Sequence, residues 1–137
     1  MIWVVDASVA LKWFLDEEGS EHARRLKSLE EVIAPDLIVA EVSNAAWRLA
    51  VSGRIPMEQY QSMAGGISQL VDALWPLSAL ASRAAEMAGA LRHPVYDCFY
   101  TALAEVKATK VITADRRFLN AIYGSRWRDL AIDLYSY

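Results

Sequence analysis

The chain has 137 residues, enough for one domain with a sizeable buried core, and its 55% hydrophobic and 23% charged residues are those of a globular protein. No segment approaches the roughly 18 uninterrupted apolar residues of a membrane span, and the single cysteine, Cys98, excludes an internal disulfide or a zinc site built from several thiolates. A formal charge of −3 excludes recognition of nucleic acid by a broad cationic face, but it leaves room for a local cluster of acids that recruits a polyanion through a bound cation.

Residues 1–137 are expected to form a single domain. The opening MIWVVDASVALKWFL is interrupted by Asp6 and Lys12 and has no basic lead, so it does not read as a signal peptide and a cytoplasmic protein is expected. Ile2 to Val5 is short, β-branched and aromatic, which predicts a strand buried on both faces. A helix follows from Ala7 to Leu15, then a charged amphipathic helix from Glu21 to Leu29, and Val32 to Ala34 predicts a second strand closed by Pro35. Asp36 stands where the N-cap of a long helix ending near Gly53 should be.

Pro56 opens a helix through about Val71, weakened in its middle by Gly65 and Gly66. Leu74 to Leu77 reads as a short or edge strand because of Pro76. Ser78 is expected to cap a helix to about Leu91, His93 and Pro94 to break it, and Val95 to Ala108 to form the next helix. Lys110 to Thr113 predicts a fourth strand, Asp115 to Tyr123 a short helix, and Leu130 to Leu134 a fifth strand. Strands alternating with helices imply an α/β fold: a central parallel β-sheet covered by helices on both faces, with the ligand site beyond the carboxyl ends of the strands.

Two acids fall on that rim, Asp6 after the first strand and Asp115 after the fourth. Either alone is explained as a helix N-cap. Glu41 lies at the edge of a stripe formed by Ile38, Val42, Ala45 and Leu49, where a glutamate ordinarily reaches water or pairs with Arg48, and Asn44 lies further round on the same side. Asp97 sits in a first helical turn, where the helix dipole favours an anion, and with Thr101 is expected to project away from a core face of Val95, Phe99, Leu103 and Val106. The individual explanations leave the order unexplained: acid after a strand, acid in a helix, acid at a helix start, acid after a late strand. Hard divalent cations such as Mg²⁺ or Mn²⁺ take oxygen ligands and neutralise carboxylates that would otherwise repel one another.

The segments VVDASVALKWFL, APDLIVAEVSNAAWR, YDCFYTALAE and VITADRRFL, in that order, resemble the PIN domain of VapC-type toxins from toxin–antitoxin pairs, and the resemblance covers essentially the whole chain. It implies a PIN-like three-layer fold and a metal-dependent endoribonuclease whose metal-binding and catalytic residues are Asp6, Glu41, Asp97 and Asp115, with Mg²⁺ or Mn²⁺ as cofactor. Ser8, Asn44 and Thr113 match positions of supporting polar groups. The resemblance also implies a homodimer and a VapB-like antitoxin as partners, with RNA as substrate. Arg116 and Arg117 are the first candidates to steer phosphates, with Lys12, Arg48 and Arg54 behind them, whereas His22 and His93 read as structural or exposed. Trp13, Phe14 and Trp47 are expected to offer apolar surface to another chain.

Two other functions compete. A haloacid-dehalogenase-like phosphatase also begins with a strand ending in aspartate, but it needs a second aspartate where this chain has Ser8. A non-catalytic PIN-fold module binding RNA or protein would not require the four acids together. A phosphorelay receiver would need paired acids at the first strand end and a late lysine, and neither is present.

Overall fold

The computed structural model describes residues 1–137. Five short strands, β1 (Ile2–Val5), β2 (Glu31–Pro35), β3 (Ala73–Trp75), β4 (Val111–Thr113) and β5 (Ala131–Asp133), form one sheet in the order β3-β2-β1-β4-β5. Every pairing is parallel. Seven helices connect them: α1 (Ala7–Phe14), α2 (Ser20–Leu29), α3 (Leu37–Val51), α4 (Met57–Leu70), α5 (Ala81–Leu91), α6 (Val95–Val106) and α7 (Arg116–Tyr123).

A parallel pair cannot be joined by a tight hairpin, so each connection carries helix across a face of the sheet. Consecutive residues Val4 and Val5 are both fully buried, as a strand covered on both faces requires. Strand order reverses between β1 and β4, which opens a crevice beyond their carboxyl ends. Asp6 follows β1 immediately and Asp115 lies two residues past β4, so the topology brings both to that crevice.

Helix α6 packs across β1, β2 and β4 and is the most enclosed helix of the fold. Its residues Tyr100 to Leu103 are buried without a break, so the expected division into a core face and a polar face does not hold. Thr101 is fully buried and donates to the Cys98 carbonyl at 3.1 Å, while Val106, expected in the core, is exposed. Burial and the neighbouring Asp97 push the Cys98 thiol up to about 11, consistent with a packing role.

Three expected caps or stripes are also revised. Asp36 is itself helical and makes no side-chain cap; its backbone N–H instead donates to the Trp75 carbonyl at 2.8 Å, tying the start of α3 to the edge strand. Ser78 lies inside a short 3₁₀ turn, Leu77–Ala79, and α5 starts only after the buried Leu80. The buried line of α3 runs through Ile38, Val42, Ala46 and Ala50, because α4 packs along it beside the sheet. Gly65 and Gly66 do not interrupt α4, whose Met63 and Ile67 anchor it in the core.

Candidate active site

Asp6 caps α1, its Oδ1 accepting from the Val9 backbone N–H at 3.3 Å, but the cap is the smaller part of its surroundings. The Ser8 hydroxyl donates to Oδ1 at 2.6 Å, and the Thr113 hydroxyl donates to Oδ2. Each hydroxyl is itself fixed by a backbone donor, Ser8 by the Ala114 N–H at 2.9 Å and Thr113 by the Asp115 N–H at 3.0 Å. With those lone pairs engaged, both hydroxyl protons are directed at the carboxylate. β1 and β4 are thus stitched together through a side chain that is only 4% exposed. Burial pushes the Asp6 carboxyl up to about 7; the hydrogen bonds of Ser8 and Thr113 oppose the shift, and the charge of Asp97 adds to it.

The other three acids share a simpler design, one oxygen held and one free. Tyr100, buried in α6, donates its hydroxyl to Glu41 Oε1 at 2.5 Å. His93 Nε2 lies 2.6 Å from Asp97 Oδ2. Asp115 caps α7, its Oδ1 accepting from the Arg117 and Phe118 N–H groups at 3.0 and 3.3 Å. Glu41 Oε2, Asp97 Oδ1 and Asp115 Oδ2 have no partner within the chain.

Electrostatics join the four. Burial raises the Glu41 carboxyl above its ordinary value against the Tyr100 hydrogen bond, and the charges of Asp97 and Asp115 raise it further. Burial also raises Asp97, with Asp115 adding to the effect and His93 and Arg117 opposing it. Asp6 and Asp115 follow two strands, Glu41 lies within α3 and Asp97 in the first turn of α6, and the charge of Asp97 acts on both Asp6 and Glu41.

No three His, Cys, Asp or Glu side chains lie together so that they could hold one metal ion between them. Mg²⁺ does not need three, since it is commonly held by one or two carboxylates and keeps several waters. An all-oxygen set with three free carboxylate oxygens and mutually unfavourable charge fits such a cation in donor chemistry.

Of the expected supporting residues, Ser8 and Thr113 bond Asp6 directly. Asn44 does not bond Glu41: it is exposed, and Tyr100 has the place assigned to it. Nor does Arg48 pair with Glu41. Arg116 is engaged by Asp133 at 3.0 Å and Lys12 by Glu17 at 3.2 Å, whereas Arg117 is close enough to lower Asp97. His93, read from the sequence as structural or exposed, is largely buried against Asp97. Its place four residues before Asp97 and that of Tyr100 three residues after it were the available signals.

These placements make Tyr100 a positioning residue in expectation. Tyr100→Phe should lower divalent-metal affinity about 10- to 100-fold, the usual cost of losing a hydrogen bond to a ligating group, and should raise the Glu41 pKa further. Carbon-detected titration of the Glu41 carboxyl together with metal-binding calorimetry checks both. Unchanged values in the variant would leave Tyr100 a packing residue only.

Residues 3–122 match the PIN domain family. This chain belongs to the PIN-domain family. It is 35% identical over 117 residues to Ribonuclease VapC3 of Pyrobaculum aerophilum, an alignment spanning 83% of this chain and 89% of that protein. It is 36% identical over 121 residues to Ribonuclease VapC1 of Mycobacterium tuberculosis, spanning 86% and 89%. A crystal structure of a Pyrobaculum aerophilum protein superposes with a TM-score of 0.73 at 22% identity, over 99% of this chain and 91% of that one. VapBC2 from Rickettsia felis, bound to a DNA fragment from its promoter, superposes with a TM-score of 0.66 at 13% identity, over 97% and 98%. At those two identities the likeness is one of fold.

Proposed function

We propose that this PIN domain is a metal-dependent endoribonuclease, the toxin component of a type II toxin–antitoxin system, that hydrolyses RNA at Asp6, Glu41, Asp97 and Asp115. What supports the reading is that Asp6 and Asp115 follow strands β1 and β4 at one crevice, that the charge of Asp97 raises Asp6 and those of Asp97 and Asp115 raise Glu41, and that Glu41, Asp97 and Asp115 each keep an oxygen without a partner. The names of the VapC ribonucleases aligned over most of the chain support the choice of RNA.

Asp6, Glu41, Asp97 and Asp115 would hold Mg²⁺ or Mn²⁺. When bound, such a cation acts as a Lewis acid at the phosphate and makes water a stronger nucleophile. The chain contributes rigidity: Ser8 and Thr113 fix Asp6, Tyr100 fixes Glu41, His93 fixes Asp97, and the start of α7 fixes Asp115. Arg117 offers a positive charge beside the acids for the phosphate. Attack by water forms a new P–O bond while the bond to the 3′ oxygen breaks, and that oxygen takes up a proton. The products are a 5′-phosphate and a 3′-hydroxyl.

Incubating the purified chain with structured and single-stranded RNA tests this. Cleavage should require Mg²⁺ or Mn²⁺, cease with excess chelator, and leave 5′-phosphate ends. Robust cleavage in chelator, or cyclic-phosphate ends, would refute it.

The reading extends to partners. Trp47 and Val51 are exposed one turn apart on α3 and would serve a homodimer. Trp13 and Phe14, expected to join them, pack against the core instead, and the Trp13 indole donates to the Ala23 carbonyl at 3.0 Å. A VapB-like antitoxin would inhibit by placing a cation among the carboxylates. Light scattering should give a dimer mass for the chain alone and a larger complex with the product of the adjacent small gene. A monomer that ignores that product would contradict this extension.

A further inference from the structure

A groove of about 540 Å³ lies between α1 and α3, and Ser8 and Glu41 of the acid rim are among its lining residues. Its volume lies within the range of small-ligand sites. Leu11 and Ala45 give it a low apolar floor, and Asn44, Arg48 and Tyr96 stand around it. Tyr96 is 59% exposed although it begins the most enclosed helix of the protein. The Asn44 amide, the Arg48 guanidinium and the Tyr96 hydroxyl make no hydrogen bond or ion pair within the chain, and Glu41 is bonded on one oxygen by Tyr100 rather than by its near neighbours on α3. An exposed aromatic face, a free amide and a free guanidinium thus border an apolar floor that opens onto the acids.

We infer that this groove is a nucleobase subsite, binding one unstacked base of single-stranded RNA next to the scissile phosphate. Tyr96 stacks on the base, Asn44 reads its edge and Arg48 takes an adjoining phosphate. A ring of this kind gives sequence-tolerant affinity, whereas an amide with both a donor and an acceptor distinguishes base edges. Two charged side chains line the groove, Glu41 of the acid rim and Arg48, which has no partner, and charge complementarity favours RNA over an apolar peptide segment because a base delivers its own phosphate to Arg48. The inference rests on reading the acid rim as an RNA-cleaving site, but its binding step is separable from cleavage.

The test measures anisotropy of fluorescein-labelled pentanucleotides of A, C and U with the Asp6→Asn chain in Mg²⁺, so that no probe is consumed. The expected result is a ranking among the three probes, about tenfold or greater weakening for all of them with Tyr96→Ala, and loss of the ranking with Asn44→Ala. Wild-type chain that fails to cut RNA while these shifts persist would refute the cleavage reading and leave the subsite standing. Absence of binding, or equal affinities and ranking in both variants, overturns the subsite. So does an unaltered RNA affinity in Tyr96→Ala accompanied by weakened binding of the adjacent small gene product, which would assign the groove to a protein.

Discussion

Neutralising any one of the four acids should reduce RNA cleavage on the order of 10³-fold or more while the protein stays folded, because groups that act as one unit fail together. Asp6→Asn is the sharpest case. Its carboxylate receives two hydroxyl protons that backbone donors have oriented, in a buried place that without a cation disfavours the charge. Asparagine keeps the size, presents one carbonyl oxygen and one amide NH2, and removes the anion. Steady-state cleavage with circular dichroism on the same samples is the check. A folded Asp6→Asn protein that cuts at more than about a tenth of the wild-type rate would remove Asp6 from the site.

The same substitution should stabilise the metal-free protein at alkaline pH. In the folded chain the Asp6 carboxyl is raised from 3.8 to about 7, chiefly by burial. Below about pH 4 it is protonated in both states. Between there and about pH 7 the unfolded chain loses its proton and the folded chain keeps it, so stability falls as pH rises and then levels off. The span of about three pH units corresponds to on the order of 4 kcal/mol. Asp6→Asn escapes that loss but turns its amide NH2 toward a hydroxyl proton, giving back about 1 kcal/mol. Tm at pH 8 in chelator should therefore rise, by several degrees for a chain of this size. The difference should shrink toward pH 5, and Mg²⁺ should restore the wild type by mass action. Thermal scans from pH 5 to 8 decide it; a variant less stable than wild type at every pH would make Asp6 a structural cap.

Much of this was legible in the sequence because strands end where apolar runs end. Ile2 to Val5 and Lys110 to Thr113 could be read directly, and with them the positions of Asp6 and Asp115 at one rim. Glu41 and Asp97 carried no such marker, since a helix offers many places for an acid, and only the ordered set of four singled them out. Their partners were hidden for a physical reason. Tyr100 reaches Glu41 across 59 residues of sequence, and a hydrogen bond of that kind leaves no periodic trace. Helix periodicity also misplaced Thr101 and Val106, because it assumes one buried face and α6 has several. Trp13 and Phe14 were expected to offer surface to another chain, whereas both are partly buried against the core.

The measurement that bears most directly on the four-carboxylate site is titration of Mn²⁺ followed by the electron paramagnetic resonance signal of the free ion. Wild-type protein should bind Mn²⁺ saturably, with Mg²⁺ competing. Asp6→Asn, Glu41→Gln, Asp97→Asn and Asp115→Asn should each weaken binding about tenfold or more. Wild-type protein that leaves the free-ion signal untouched at millimolar Mn²⁺, or four variants that bind as it does, would contradict the account.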